Sequence, residues 1–356
     1  MMDDLTSLAA MAVSELGDVF GMPGLGLAGV EPLSGQASAR GYVRLRLNGA
    51  LESGEASVML VLLGETPLSA DEATNEGLPA ELPFTDVRRF LAGRGVPVPE
   101  VLVDRWQEGW QVQTDLGDAT LKASLEGLDR SAFLERMGAG VDFLVDLQTR
   151  IWRDGPERCV AFERCFDHGL LRWELDHFTE WGLEAWCGAS PDAEARGALG
   201  RWFDRIAETL AARGDRLVHR DFQSTNLMAT PRGLVLIDFQ DALLGTEAYD
   251  LVAYLRDSYV VLTPDELEAL LARYEAARAA AGIPVAGDFR ALFHLQTVQR
   301  KLKDAGRFVF IDRVKGKPGY LPYVAPSLGY VAAALDRLPE YRDLRALLGR
   351  WVPELR

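Results

Sequence analysis

Val218 to Leu227 reads VHRDFQSTNL, and Val235 to Ala242 reads VLIDFQDA. A His, an Asp and an Asn fall within eight residues, and an apolar run downstream ends in a second Asp. Phosphoryl transfer needs few protein groups. A carboxylate orients the attacking hydroxyl and takes its proton, and oxygen ligands hold magnesium against the phosphates. Asp221 is placed to be that base. Asn226, five residues on, can turn its amide oxygen back toward a metal, and Asp238 projects from a strand end. Two carboxylates and an amide make a hard oxygen site suited to Mg²⁺. The competing reading is a polar loop in which Asp221 caps a helix. The spacing and strand context together favour the phosphoryl-transfer site.

Upstream of the motif, residues 30–64 read as a β-hairpin and a third strand. Val43, Leu45 and Leu47 alternate with Tyr42, Arg44 and Arg46, Asn48-Gly49 suits the turn, and ASVMLVLLGE is a buried strand. TDVRRFLAGRG predicts a short helix capped by Thr85 and ended by Gly93 or Gly95. VPVPEVLV reads as extended, because prolines are excluded from a helix interior, and WQVQTDLGD reads as a strand running into a turn. The first 116 residues therefore read as mostly strands with one notable helix. The remainder is helical. Phe133, Leu134, Met137, Val141, Leu144 and Val145 share one helix face, and Leu199, Trp202, Phe203, Ile206 and Leu210 share another. Thr263 and Glu266 form a capping box over Pro264, and Gly282 with Pro284 stops that helix. The expectation is an α+β, protein-kinase-like bilobal fold: a strand-rich lobe over 1–116, a helical lobe over 117–356, and a joint near Thr114 to Asp118.

The chain of 356 residues carries a net charge of −15, a field that repels phosphate backbones and argues against nucleic-acid binding. The longest apolar run, Val58 to Leu63, is strand-sized, so no membrane partner is expected. MMDDLTSLAAMAVSELGDVF has acids where an export signal carries Lys or Arg, which points to a cytoplasmic protein. Cys159, Cys165 and Cys187 form no CxxC pair and read as buried or inert thiols. His168, His177 and His294 lack ligand spacing and read as structural. Trp173, Trp181 and Trp186 read as packing residues on one helix.

HRDFQSTNLM followed by IDFQDA resembles the aminoglycoside phosphotransferase and choline kinase superfamily, whose fold is that of protein kinases. GQASARGYVRL, VPVPEVL, TDLGD, LRWELDHFTEW, IDFQDALLGTEAYDLVAYLRDSYV and QRKLKDAGRFVFIDRVKGKPGYLPY are further similar to bacterial N-acetylmuramate/N-acetylglucosamine anomeric kinases of cell-wall recycling. The resemblance runs from about residue 30 to the C-terminus. It implies ATP and Mg²⁺ as cofactors and a small-molecule amino sugar as acceptor. It also implies Asp221 as base, His219 as support of the loop, Asn226 and Asp238 as metal ligands, and Asp250 as a brace for the catalytic loop. Asp241 is a candidate to face the acceptor. TDLGD would carry the crossing between lobes, where adenine meets backbone groups rather than side chains such as Gln113.

The superfamily usually places a lysine on the third strand to hold phosphates, but residues 1–121 contain none. The sugar-kinase group resembled here also lacks it. Ser38, Arg40 and Arg44 of the first hairpin are the candidates to meet the phosphates instead, since a guanidinium matches phosphate geometry. Surface pairing with nearby acids is the other reading of the two arginines. Gln223 and Thr225 depart from the sugar-kinase pattern of His and Arg. Lys301 and Lys303, in a basic stretch of an acidic chain, either meet the carboxylate of a muramyl sugar or form a solvated face. The alternatives to an amino-sugar kinase are a kinase of another small alcohol or aminoglycoside, and a nucleotide-binding pseudokinase. Oligomeric state is not legible.

Overall fold

The computed structural model describes residues 2–33, 40–51, 54, 56–63, 81–152 and 158–356. Its elements are, in chain order, α1 (Met2–Val19), β1 (Leu27–Leu33), β2 (Gly41–Leu47), β3 (Ser57–Leu62), α2 (Pro83–Gly93), β4 (Val101–Arg105), β5 (Trp110–Thr114), α3 (Leu121–Ser124) and α4 (Arg130–Ile151). There follow α5 (His168–His177), α6 (Ala193–Ala211), β6 (Arg216–Val218), β7 (Leu227–Thr230), β8 (Gly233–Leu236), β9 (Leu243–Gly245), α7 (Tyr249–Leu255), α8 (Pro264–Ala280), α9 (Phe289–Arg313), α10 (Val324–Leu335) and α11 (Arg342–Leu348). They fall into two units: residues 1–119 with 228–241, and residues 120–227 with 242–356. The segment 228–241, which the sequence reading put in the helical lobe, therefore packs with the strands.

The first unit is built on a five-stranded antiparallel sheet in the order β1-β2-β3-β5-β4. Period-two alternation gives it two apolar faces. One presents Val43, Leu45, Val58, Leu60, Val103 and Val112 to Ala9, Ala12, Val13 and Leu16 of α1. The other carries Met59, Val61, Leu63 and Leu82, with Tyr42 and Trp106 beside them. α1 is a second helix in a region where one was expected. Its buried positions recur at three and four residues, the helical period, so the signal was present in the sequence.

α2 ends near Gly93 as expected, but Thr85 does not cap it. Leu82 is the N-cap and Pro83 opens the first turn, where a missing N–H costs nothing. The Thr85 hydroxyl instead accepts a bond from Gln111 Nε2 at 3.2 Å.

Arg44 was expected on the outward or phosphate-facing side of the hairpin. It is 4% exposed and held by carboxylates: Nε to Asp115 at 2.6 Å and Nη2 to Asp118 at 2.7 Å. Asp115 also accepts from the Ser57 hydroxyl at 2.6 Å and the Gly117 amide at 3.0 Å. Burial alone would raise the Asp115 pKa, but the Arg44, Ser57 and Gly117 bonds outweigh it and hold the carboxyl below its ordinary value. Arg44 thus belongs to an ion-pair network that ties β2 and β3 to the turn after β5.

The second unit is helical. α8 has the expected capping box, Thr263 with Glu266, and Gly282 follows it at φ 74°. α5 runs into a π-helical segment, Phe178–Trp186. Trp173 lies on α5 and Trp181 and Trp186 on the π segment; Trp173 and Trp186 are exposed, against the expectation of packing, though each keeps a ring contact. Trp173 stacks on His177 with centroids 5.5 Å apart, Trp181 meets Phe310 edge-on at 5.2 Å, and Arg313 covers Trp186 at 5.9 Å. α9 crosses this segment at Gly306, where a Cβ would sit 2.9 Å from Phe178 Cα and 3.1 Å from the His177 carbonyl oxygen. Only glycine permits that approach. Of the free cysteines Cys159 is buried, but Cys165 is exposed, against the expectation for it. No helix among the described residues is long and apolar enough to cross a membrane.

Candidate active site

In the second unit, β6 delivers the chain to His219-Arg220-Asp221, and this loop is fastened from several sides. The Asp250 carboxylate, at the start of α7, accepts from the His219 amide at 2.8 Å and the Arg220 amide at 3.0 Å. Asp257, just past α7, accepts from the Ser224 amide at 2.8 Å and the Ser224 hydroxyl at 2.6 Å. Phe222 is fully buried, edge-on to Tyr254 at 5.7 Å and stacked with Phe143 at 6.2 Å. His219 is buried, its ring edge-on to Phe222 at 6.1 Å. Arg220 has φ 79°, a left-handed conformation that a non-glycine residue adopts at a cost of about 1–3 kcal/mol. The Asp250 bonds to the His219 and Arg220 amides hold the chain before its Cα, and the Arg300 bond to the Arg220 carbonyl holds it after.

Asp221 emerges from this frame with its side chain 38% exposed. Arg300 of α9, itself buried, donates from Nη1 to the Arg220 carbonyl at 2.7 Å and from Nη2 to Asp221 Oδ1 at 3.1 Å. Burial alone would raise the Asp221 pKa. The charges of Arg300, Lys303 and Arg220 and the bond from Arg300 outweigh it and hold the carboxyl well below the usual carboxylate range. Asp221 is therefore an ionised acceptor on a rigid loop. Asn226 Nδ2 donates to the Asp221 carbonyl at 2.9 Å, which leaves the amide oxygen Oδ1 as the atom for a cation.

Arg300 lies in the same stretch as Lys301 and Lys303 but carries no sequence mark of its role; the two lysines, the expected substrate contacts, lie apart from solvent. Lys301 is 1% exposed, with Nζ 2.8 Å from both the Ser258 hydroxyl and Asp304 Oδ2. Lys303 Nζ lies 3.7 Å from Asp304 Oδ1. Burial would raise the Asp304 pKa, yet Lys301, Arg300 and Lys303 together hold it at about 2. The solvated basic face is thus overturned for these two lysines, whose charges face Asp304. Glu174 of α5 closes the network from below. It is fully buried, accepts from Gln299 Nε2 at 2.6 Å, and lies 3.8 Å from Arg220 Nη2.

In the first unit, Asp238 follows β8 with φ 63°, the second non-glycine residue in the left-handed region. Its carboxylate is exposed and accepts from Gln240 Nε2 at 2.8 Å. Gln240 in turn accepts from Arg40 Nη1 at 3.2 Å, and the Arg40 guanidinium lies 5.7 Å from the centre of the Phe84 ring, which stacks on Phe239 at 4.9 Å. Tyr42 completes the group. Burial raises its pKa, Arg40 lowers it and Asp238 raises it. Arg40, Tyr42, Asp238 and Gln240 are thus brought together, while Arg44 is held elsewhere. Asp241 is partly buried and accepts from Gln240 at 3.4 Å. Gln113 is buried and bonds Gln111. Ser38 lies outside the described residues. Among the described residues no three His, Cys, Asp or Glu side chains gather as a metal site. Asn226 Oδ1 and the Asp238 carboxylate are each, taken singly, an oxygen donor of the kind magnesium takes.

Residues 30–287 match the model of the phosphotransferase enzyme family, and the chain belongs to that family. It is a phosphotransferase with the bilobal, protein-kinase-like α+β fold. Among its relatives is the N-acetylmuramate/N-acetylglucosamine kinase of Pseudomonas aeruginosa, 29% identical over 328 residues, covering 89% of this chain and 87% of that protein. The enzyme of the same name from Neisseria meningitidis serogroup B is 33% identical over 259 residues, covering 71% of this chain and 75% of that one. The choline kinase LicA of Streptococcus pneumoniae has the same fold, with a TM-score of 0.59 at 15% identity over 93% of this chain and 99% of that one.

Proposed function

We propose that this phosphotransferase moves the γ-phosphoryl group of ATP to the anomeric hydroxyl of an amino sugar, N-acetylmuramate or N-acetylglucosamine. Such a reaction serves the salvage of cell-wall sugars in the cytoplasm. The observation that carries the reading is Asp221, an ionised, accessible carboxylate on a loop whose flanking groups are all tied down. The names of the relatives support the acceptor.

In this reading Asp221 accepts the proton of the sugar O1 hydroxyl as O1 bonds to the γ-phosphorus, the bond from phosphorus to the bridging oxygen breaks, and ADP leaves. His219 supports the loop. The first unit serves the nucleotide, with Arg40 as a cation for phosphate. Asn226 and Asp238 are proposed as magnesium ligands, and magnesium neutralises charge on the phosphates. The second unit serves the acceptor.

Phosphorus NMR of ATP mixed with each sugar tests the assignment. A sugar 1-phosphate is expected, and turnover with only choline or aminoglycosides would overturn it. Asp221→Asn should lower turnover by about a hundredfold or more while ATP still binds. Near-normal turnover of that variant would remove Asp221 from the mechanism.

A further inference from the structure

Lys122 stands on α3, which packs against the Ser224–Asn226 turn of the catalytic loop. Its side chain is partly buried and its ammonium lies 5.8 Å from the centre of the Tyr259 ring. No described carboxylate pairs with it, whereas Lys301 and Lys303 are both taken by Asp304. Tyr259 is itself fastened to the catalytic loop. Its amide donates to Asp257 Oδ1 at 3.0 Å, and the other oxygen of that carboxylate holds Ser224.

Tyr259 opens an aromatic wall. Tyr323 meets it edge-on at 5.1 Å, and Phe308 lies 5.7 Å from Tyr323 and 6.0 Å from Tyr320. Tyr259, Tyr320 and Tyr323 are each partly exposed. Phe308 is two turns along α9 from Arg300, which bonds Asp221, a rise of about 12 Å. That is the span of a hexose carrying a short side arm. A chain of net charge −15 repels an anionic acceptor, so an acid-bearing sugar needs a local cation.

We propose that Lys122, held over Tyr259, pairs with the carboxylate of an acidic amino sugar lying along the tyrosine wall, and so discriminates it from a neutral one. This rests on the amino-sugar reading above. N-acetylmuramate carries a lactyl carboxylate and N-acetylglucosamine carries none, so the two separate the charge from the rest of the sugar.

Steady-state kinetics with both sugars test this on the wild type, Lys122→Met, Lys122→Arg and Lys122→Glu. Lys122→Met should raise the KM for N-acetylmuramate by about tenfold to a hundredfold, the weight of a lost charged hydrogen bond, with a much smaller effect for N-acetylglucosamine. Lys122→Arg should recover part of the loss, and Lys122→Glu should deepen it. Equal effects on the two sugars, or no effect, would overturn the proposal. A raised KM for ATP with either sugar would do the same, since the cation would then belong to the nucleotide. No turnover of either sugar by the wild type would remove the acceptor assignment and this proposal together. Unchanged melting temperatures in the variants exclude a folding defect.

Discussion

Arg300 does two things at once to the catalytic carboxylate: it fixes the carbonyl of the preceding residue and bonds the carboxylate itself. One fork therefore sets both the direction and the ionisation of Asp221. As a positioning residue it should act on turnover more than on nucleotide binding. Arg300→Ala is expected to lower kcat by about tenfold to a hundredfold with the KM for ATP little changed, and to shift the acidic limb of the pH–rate profile upward as Asp221 loses its counter-charge. Arg300→Lys keeps the charge without the fork and should restore the pH limb more than kcat. An unshifted limb in Arg300→Ala would show that the contact is only structural. Nothing local marks this residue, because its partner is 79 positions away. The motif around Asp221 was legible because its members are neighbours in the chain, whereas the brace role of Asp250 came only from the family resemblance, since an acid at the start of a helix reads equally as a plain N-terminal acid.

Elements show the same division between what is local and what is not. Alternation predicted β2, a short apolar run predicted β3, and the capping box predicted α8, because these signals are written within a few residues. Alternation also put Arg44 opposite Val43 and Leu45, but it says nothing about which acids wait on that face. Asp115 supplies the answer across 71 positions, and it joins β2, β3 and the turn beyond β5. Removing it leaves a buried guanidinium without its main counter-charge. Asp115→Ala should cost about 3–5 kcal/mol, measured as a drop in urea midpoint. Asp118→Ala, whose carboxylate is 78% exposed, should cost much less. Equal losses would show that the network is not organised around Asp115. The π segment was invisible for a different reason. Nothing in its composition marks the extra residue per turn, and its first residue, Phe178, is where Gly306 of α9 makes its close approach.

At the scale of the whole molecule, buried ionisable groups set the response to acid. Burial, with Arg307 and Lys303 nearby, holds His177 down to about 4, and burial with Arg256 and Arg337 does the same to His294. Unfolded histidine titrates near 6.5. The unfolded chain therefore takes up these protons first, and stability falls as the pH drops from about 6.5 toward 4. Asp304 is depressed to about 2, so its contribution is present above about 4 and lost only on further acidification. Urea midpoints should decline between pH 7 and pH 5, and a His177→Gln, His294→Gln double variant should flatten that decline. A slope unchanged by the double variant would assign it to other groups.

The first unit is completed by a segment that the chain makes late. Residues 228–241 return to it after more than a hundred residues of the second unit, bringing the Leu236 amide to the Pro97 carbonyl at 2.9 Å and Phe239 onto Phe84. During synthesis the N-terminal strands therefore leave the ribosome without their last piece, and must wait for Asp241 to emerge before the unit can close. A fragment ending at residue 119 has the sheet but lacks Asp238 and the stacking partner of Phe84, so it is not the complete unit.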